Sequence, residues 1–280
     1  MFDRVGMARF LRSRREALQP SDVGIFAGER RRTPGLRREE VAALSSMSAD
    51  YYSRLERAGG PQPSEQMVAS IAQGLHLSLD ERDHLFSLAG YRPPASGRAS
   101  DHVSPGMMRA LDRLTDTPAE VSTELGETLR QTPLGAALTG DNTRFTGPAR
   151  SIIYRWFTDE RQRDLYPPDL HELHSRAFVS GLRVAVGRDG ADSRAAHISS
   201  LLLEKSREFA DYWDRYEIGV KKMSEFKRLN HPEVGLLELN CQTLLDPERS
   251  HRLLIYTAVP GSESWEKLRL LSVIGVQQRG

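Results

Sequence analysis

The chain opens on a helical stripe. In "RVGMARFLRSRREAL", residues 4 to 18, Val5, Ala8, Leu11 and Leu18 recur near one face of a 3.6-residue period, with Phe10 beside it and arginines elsewhere. "QPSDVGIFAGERRRTPG" interrupts that pattern with prolines and glycines. It makes a longer connection than most, and long loops in compact domains tend to be functional. Periodicity then predicts helices at 37–45, 49–58 and 64–75, the last with Ser64 as N-cap behind Pro63. Ser78 and Glu81 form a capping box for a fifth helix, which Gly90 closes. The next stretch, "YRPPASGRASDHVSPG", is nearly free of apolar residues and reads as a linker.

Beyond the linker the pattern mixes two periods. "AEVSTELGETLRQT" alternates about Gly126 and predicts a hairpin. Helical segments follow at 133–139, 149–158, 169–186, 194–204 and 206–214. Then "KMSEFKRLN", "VGLLELNCQTLL" and "HRLLIYTAV" read as strands, the last two joined by the turn "DPERS", and a helix is expected around 263–274. The division is a helical domain over 1–92, a linker over 93–103 and an α+β domain over 104–280.

Composition changes this picture in one place. A chain of 280 residues with 39% hydrophobic and 28% charged residues is an ordinary globular protein of two domains. The net charge of +1 conceals an asymmetry, because residues 1–38 carry ten arginines against four acids. Such a basic end favours an anionic partner such as nucleic acid. No apolar run reaches the length of a membrane span and no signal-peptide core is present, so a cytoplasmic location is expected. Cys241, the single cysteine, has no partner for an internal disulfide and reads as a small core residue.

The candidate chemistry sits where charge and helices coincide, in "ERRRTPGLRREEVAALSSMSADYYSRLERA". Val41 and Leu44 share one face of the first helix; Tyr52 and Leu55 share one face of the second, and Met47 can plug the corner between them. Ala49, Asp50, Ser53 and Arg54 must then face outward, with Tyr51 close by. In a helix-turn-helix these positions read base edges while the flanking cations grip phosphates, here Arg31, Arg32, Arg37, Arg38 and Arg57. Arg54 suits guanine and Asp50 suits a cytosine amino group.

Residues 5–90 resemble the five-helix repressor-type helix-turn-helix domain of the XRE family. The string "RRRTPGLRREEVAAL...DYYSRLE...PQPS" resembles the actinobacterial subfamily of MmyB-like transcriptional regulators. One departure is Ser46, which stands where the family commonly has glycine. From about 104 to 275 the pieces "PAEVSTELGETLRQTPLGAAL", "FADYWDRYEIG", "KRLNHPEVGLLELN" and "LLIYTAVPGSES" are similar to the ligand-binding domain of the same regulators. Arg130, Gln131 and Tyr216 depart from its usual residues. The resemblance implies a PAS-like α+β sensor for a small hydrophobic effector such as a fatty acid, a double-stranded DNA operator as partner, and a homodimer.

The residues themselves offer an apolar set in the second domain that could line such a pocket or simply fill a core: Tyr154, Phe157, Phe178, Leu182, Phe209, Trp213, Phe226, Leu237, Leu239 and Tyr256. Catalytic signatures are weak. "HELH" puts His171 and His174 at i and i+3, whereas the zincin helix requires i and i+4, and the pair reads as part of a surface helix. No P-loop, nucleophile elbow or dinucleotide fingerprint occurs, so neither catalytic residues nor a metal or cofactor is expected. Two rivals to a regulator are a helical adaptor that no longer binds DNA and an enzyme with a helix-turn-helix appendage. The latter requires convergent polar groups in the C-terminal cavity.

Overall fold

The computed structural model describes residues 2–25, 35–93, 101–220, 226–246 and 251–277. The chain forms two compact units, Met1–Arg113 and Leu114–Gly280.

In the first unit α1 (Arg4–Ala17) begins where the Asp3 carboxylate accepts the Gly6 N–H at 2.8 Å. It is followed by α2 (Arg38–Leu44), α3 (Ala49–Glu56), α4 (Glu65–Gly74) and α5 (Leu79–Leu88). Met7 and Leu11 of α1, Val41, Tyr52, Leu55, Val68, Ile71, Leu85 and Phe86 meet in one core. Val5 lies outside it and is exposed, because the stripe begins a turn later than its spacing suggests. Ser48, Ser64 and Ser78 cap α3, α4 and α5 through their hydroxyls, as their positions before each apolar run require.

The end of the unit differs from expectation. The segment read as linker runs into a further helix, α6 (Pro105–Asp112), which packs against the turn Pro20–Val23. The Gln73 side chain holds the entry to α6, accepting the Val103 N–H at 3.0 Å and donating to the Val103 carbonyl at 3.5 Å. The first unit therefore extends to Arg113, past the 93–103 linker.

The second unit contains β1 (Ala119–Ser122), β2 (Thr128–Gln131), α7 (Pro133–Thr139), α8 (Ile152–Thr158), α9 (Arg161–Asp164), α10 (His171–Asp189), α11 (Arg194–Lys205), α12 (Arg207–Trp213), β3 (Phe226–His231), β4 (Gly235–Asp246), β5 (His251–Thr257) and α13 (Glu263–Gln277). Among the described residues the strands make one antiparallel sheet in the order β2-β1-β5-β4-β3. Gly126 turns the first hairpin at φ +69°, where an added Cβ would meet Ile152 Cγ2 at 2.5 Å. Along β4, Leu237, Leu239 and Cys241 are buried while the residues between them are exposed, so one face of this strand is covered. Two clusters fill the unit. Trp156, Phe157, Leu182, Ile198, Leu202 and Phe209 bind α8, α10, α11 and α12 together, and Leu134, Leu138, Leu237, Leu239, Leu268 and Leu271 seat α7 and α13 on the sheet.

Candidate functional site

The helix pair α2–α3 is held from inside. Tyr52 and Leu55 are 0% and 4% exposed, which fixes the rotation of α3 and turns Ala49, Asp50, Arg54 and Arg57 to solvent. Tyr51 and Ser53 are half-buried at the edge of the same face. The turn between the helices is a left-handed cap: Ser46 sits at φ +54° and the Met47 N–H donates back to the Ala42 carbonyl at 2.9 Å. A serine thus occupies a conformation that glycine adopts without strain.

The charges on this surface are already engaged with one another. Arg54 pairs with Asp50 at 3.3 Å one turn away, so base reading by either requires an exchange of partners. Arg57 donates to the Ser53 carbonyl at 3.2 Å. At the start of α2 the Arg37 N–H donates to Glu40 at 2.6 Å, so the helix's own acid takes up this backbone donor. Arg37 itself stays exposed, 3.9 Å from Glu39. Arg31 and Arg32 lie outside the described residues.

Arg38 has a structural duty that sequence spacing did not reveal. Its Nε donates to Glu56 at 2.7 Å, and Glu56, 2% exposed at the end of α3, also accepts from Arg15 of α1 at 2.5 Å. Burial alone would raise the Glu56 pKa, but the hydrogen bonds and charges of Arg15 and Arg38 together hold its carboxyl below the ordinary range. This clamp ties α1, α2 and α3 into one frame. Its members are far apart in sequence, and only the fold brings them together.

In the second unit a cavity of about 500 Å³ lies between the sheet and helices α8 and α10. That volume is within the range of about 300–1,000 Å³ typical of small-molecule sites. All five strands contribute to its floor, including Glu120, Ser122, Thr128, Lys227, Leu229, Cys241, Leu254 and Tyr256; Ile153, Tyr166, Ala177 and Phe178 contribute apolar walls. Five charged groups line it, Glu120, Glu124, Arg155, Lys227 and Arg252. Glu120 accepts from Thr128 at 3.3 Å and from Gln131 and Tyr256 at 3.4 Å, and burial pushes its carboxyl above the ordinary range. Arg155 donates to Asn142 and Gln162 and to the carbonyls of Ala149 and Arg150, while burial lowers its pKa to about 10. Burial also lowers Lys227 and Arg252.

His174 corrects the reading of α10 as a surface helix at "HELH". It is 2% exposed, lines the cavity, and burial first and then the charge of Lys227 depress its pKa to about 4, which leaves it neutral. Its Nδ1 has no hydrogen-bond partner. His171 instead contacts the carbonyls of Arg163 and Tyr166. No group of three or more potential metal ligands is found among the described residues.

Of the apolar set named from sequence, Phe178 and Tyr256 line this cavity. Tyr154, Phe157, Leu182, Phe209 and Trp213 belong instead to the cluster behind α8 and α10, where the Phe157 and Phe209 rings meet edge to face at 5.2 Å. Leu237 and Leu239 pack beneath α13, and Phe226 is 47% exposed. The reason is physical: large aromatic residues at helical spacing fill the space between helices, whereas a cavity survives where side chains are polar or small. The missed signal was strand alternation. Once β1 and β3 are strands, Glu120 and Lys227 are charged residues placed on the inward face.

Among the described residues no helix is long and apolar enough to cross a membrane. Residues 7–85 match the family model of a helix-turn-helix domain, and residues 103–271 match that of the MmyB-like transcription regulator ligand binding domain. No curated protein matches the chain. Both matched families are regulatory and neither is enzymatic. The exposed face of α3 and the cavity above the sheet fall within these two matches, and the chain belongs to the family of MmyB-like transcription regulators, with a helix-turn-helix DNA-binding domain ahead of the ligand-binding domain.

Proposed function

We propose that this regulator binds an operator through α3 and that a small molecule in the cavity of the second unit changes its operator affinity. The exposed row Ala49, Asp50 and Arg54, presented by the buried Tyr52 and Leu55, carries the reading. Arg37 and Arg57 flank it as exposed cations for the phosphates. An effector shifts the equilibrium only by binding two conformations unequally. Paired half-sites about one helical turn apart, matching a homodimer, would suit this mode of binding.

The lining modifies the expected effector. A purely aliphatic molecule would leave the Lys227 ammonium desolvated without compensation, which is costly. An amphipathic molecule, with an apolar body for Ile153, Leu229 and Phe178, fits the chemistry better than a wholly hydrophobic one. The polar groups satisfy the condition set for an enzyme, yet the matched families favour sensing over turnover.

A mobility-shift titration on DNA upstream of the gene itself and of its neighbours tests the reading. Arg54→Ala should relax preference at one base position, and Arg57→Ala should weaken binding to every sequence and flatten the salt dependence. A salt-independent association would instead favour the adaptor, because phosphate contacts release counterions and give a steep linear fall of log affinity with log salt.

A further inference from the structure

Most arginines of the basic end have a partner. Arg15 and Arg38 serve the clamp, Arg14 pairs with Glu81, Arg4 stands over the Phe2 ring and Arg37 lies near Glu39. Arg9 and Arg12 of α1 differ. Both are exposed, and neither has a hydrogen-bond, ion-pair or ring partner among the described residues. Three residues apart, they share one face of the helix, with Cβ atoms about 5–6 Å from each other.

That face lines an open groove between α1 and the end of α3. Arg9, Arg12, Ser13 and Glu16 border it from α1, Glu56 and Arg57 from α3. The two acids are already paired, since Glu16 meets Arg15 at 3.2 Å and Glu56 is held by Arg15 and Arg38. The three cations have no acid among the described residues, and Arg57 donates only to the Ser53 carbonyl. The groove therefore carries a surplus of positive charge. Because Arg57 belongs both to the groove and to the edge of the exposed α3 face, the two surfaces are continuous.

We propose that this groove is a second phosphate site for the operator, in which Arg9 and Arg12 hold the DNA backbone beyond the reach of α3. The inference deepens the operator reading and rests on it. Duplex DNA carries a phosphate about every 3.4 Å along each strand, so two arginines one turn apart meet neighbouring phosphates, each through a charge-assisted fork. The exposed Ser13 hydroxyl adds a further donor. Such contacts fix the register of a protein on the duplex and carry no sequence information. An acidic protein surface would offer similar charge, but the shared Arg57 ties the groove to the nucleic acid.

The test is fluorescence anisotropy of the full-length protein with a labelled duplex from the DNA upstream of its gene and with a scrambled duplex, across a salt series. Each phosphate contact adds about 0.9 to the slope of log affinity against log salt. The double variant Arg9→Gln with Arg12→Gln should lower that slope by about 1.8 and weaken binding to both duplexes roughly tenfold or more at about 0.1 M salt. Its preference between the duplexes should stay as in wild type. Arg9→Lys with Arg12→Lys should keep the slope, and Arg109→Gln, which removes an exposed cation of α6 outside the groove, should change neither slope nor affinity. Unchanged thermal unfolding of the glutamine variant shows that the loss is not one of folding. A glutamine variant with the wild-type slope overturns the phosphate site and leaves the operator reading standing; an acidic protein in the groove would give this result. An equal loss in Arg109→Gln overturns it too, as an effect of net charge alone. Wild type that binds neither duplex overturns both readings.

Discussion

Replacing Glu56 with glutamine puts the frame of the DNA-binding unit to the test. The substitution keeps the shape and one acceptor but removes the charge between Arg15 and Arg38. Arg15, whose side chain is 7% exposed, would keep the Leu36 carbonyl at 2.9 Å, Glu16 at 3.2 Å and at most the one remaining amide oxygen, for which Arg38 competes. Breaking a buried ion pair from one side costs about 3–5 kcal/mol. Arg38 is half-exposed and regains water, so the lower end, about 3 kcal/mol, is expected. All three tryptophans, Trp156, Trp213 and Trp265, lie in the second unit. Urea unfolding of the whole chain can therefore be followed twice, by helical circular dichroism for both units and by tryptophan fluorescence for the second alone. Glu56→Gln should shift the dichroism transition of the first unit and leave the fluorescence transition in place. The sign of the pH dependence follows from the lowered carboxyl. Its stabilisation is present above the unfolded carboxylate range, about pH 4.3, and is lost as the pH falls through the folded value. The gap between wild type and variant should thus narrow in acid. A shift below about 1 kcal/mol at pH 7, or an equal movement of the fluorescence transition, would refute the clamp.

Two further outcomes follow from local geometry. Ser46→Gly removes the strain of a left-handed serine and should stabilise the first unit by about 1 kcal/mol in the same dichroism assay; a loss of stability would show that the hydroxyl, not the backbone, governs the turn. Glu120→Gln should flatten the pH dependence of the second unit as the pH rises above the ordinary carboxylate range, read by tryptophan fluorescence. A carboxyl raised by burial contributes stability below its unfolded pKa that is lost as pH rises through the folded one, and glutamine has no such titration; an unchanged slope would place Glu120 in contact with water.

The helix-turn-helix was legible because its signals are local. Ser48, Ser64 and Ser78 lie next to the runs they cap, and the i, i+3 spacing of Tyr52 and Leu55 is enough to orient α3. The hairpin about Gly126 and the alternation of β4 could be read for the same reason. The Arg15–Glu56–Arg38 clamp could not, since no periodicity links residue 15 to residue 56. The cavity lining was less legible because hydrophobicity marks what is packed, whereas Glu120, His174 and Lys227 border what is left open. Helix α6 escaped notice because Pro, Gly and Ser crowd the preceding residues, although Ser104 and Pro105 supply an N-cap and a first-turn proline.

Helix α6 also bears on where this polypeptide can be cut. The family match for the ligand-binding half starts at residue 103, yet the residues up to 113 fold with the other half. Dividing the gene at that match would sever Gln73 from the backbone it clasps and strip Met108 and Leu111 of their shelter. A fragment ending after Arg113 keeps that seam intact, so the folded DNA-binding unit is longer than its sequence motif announces.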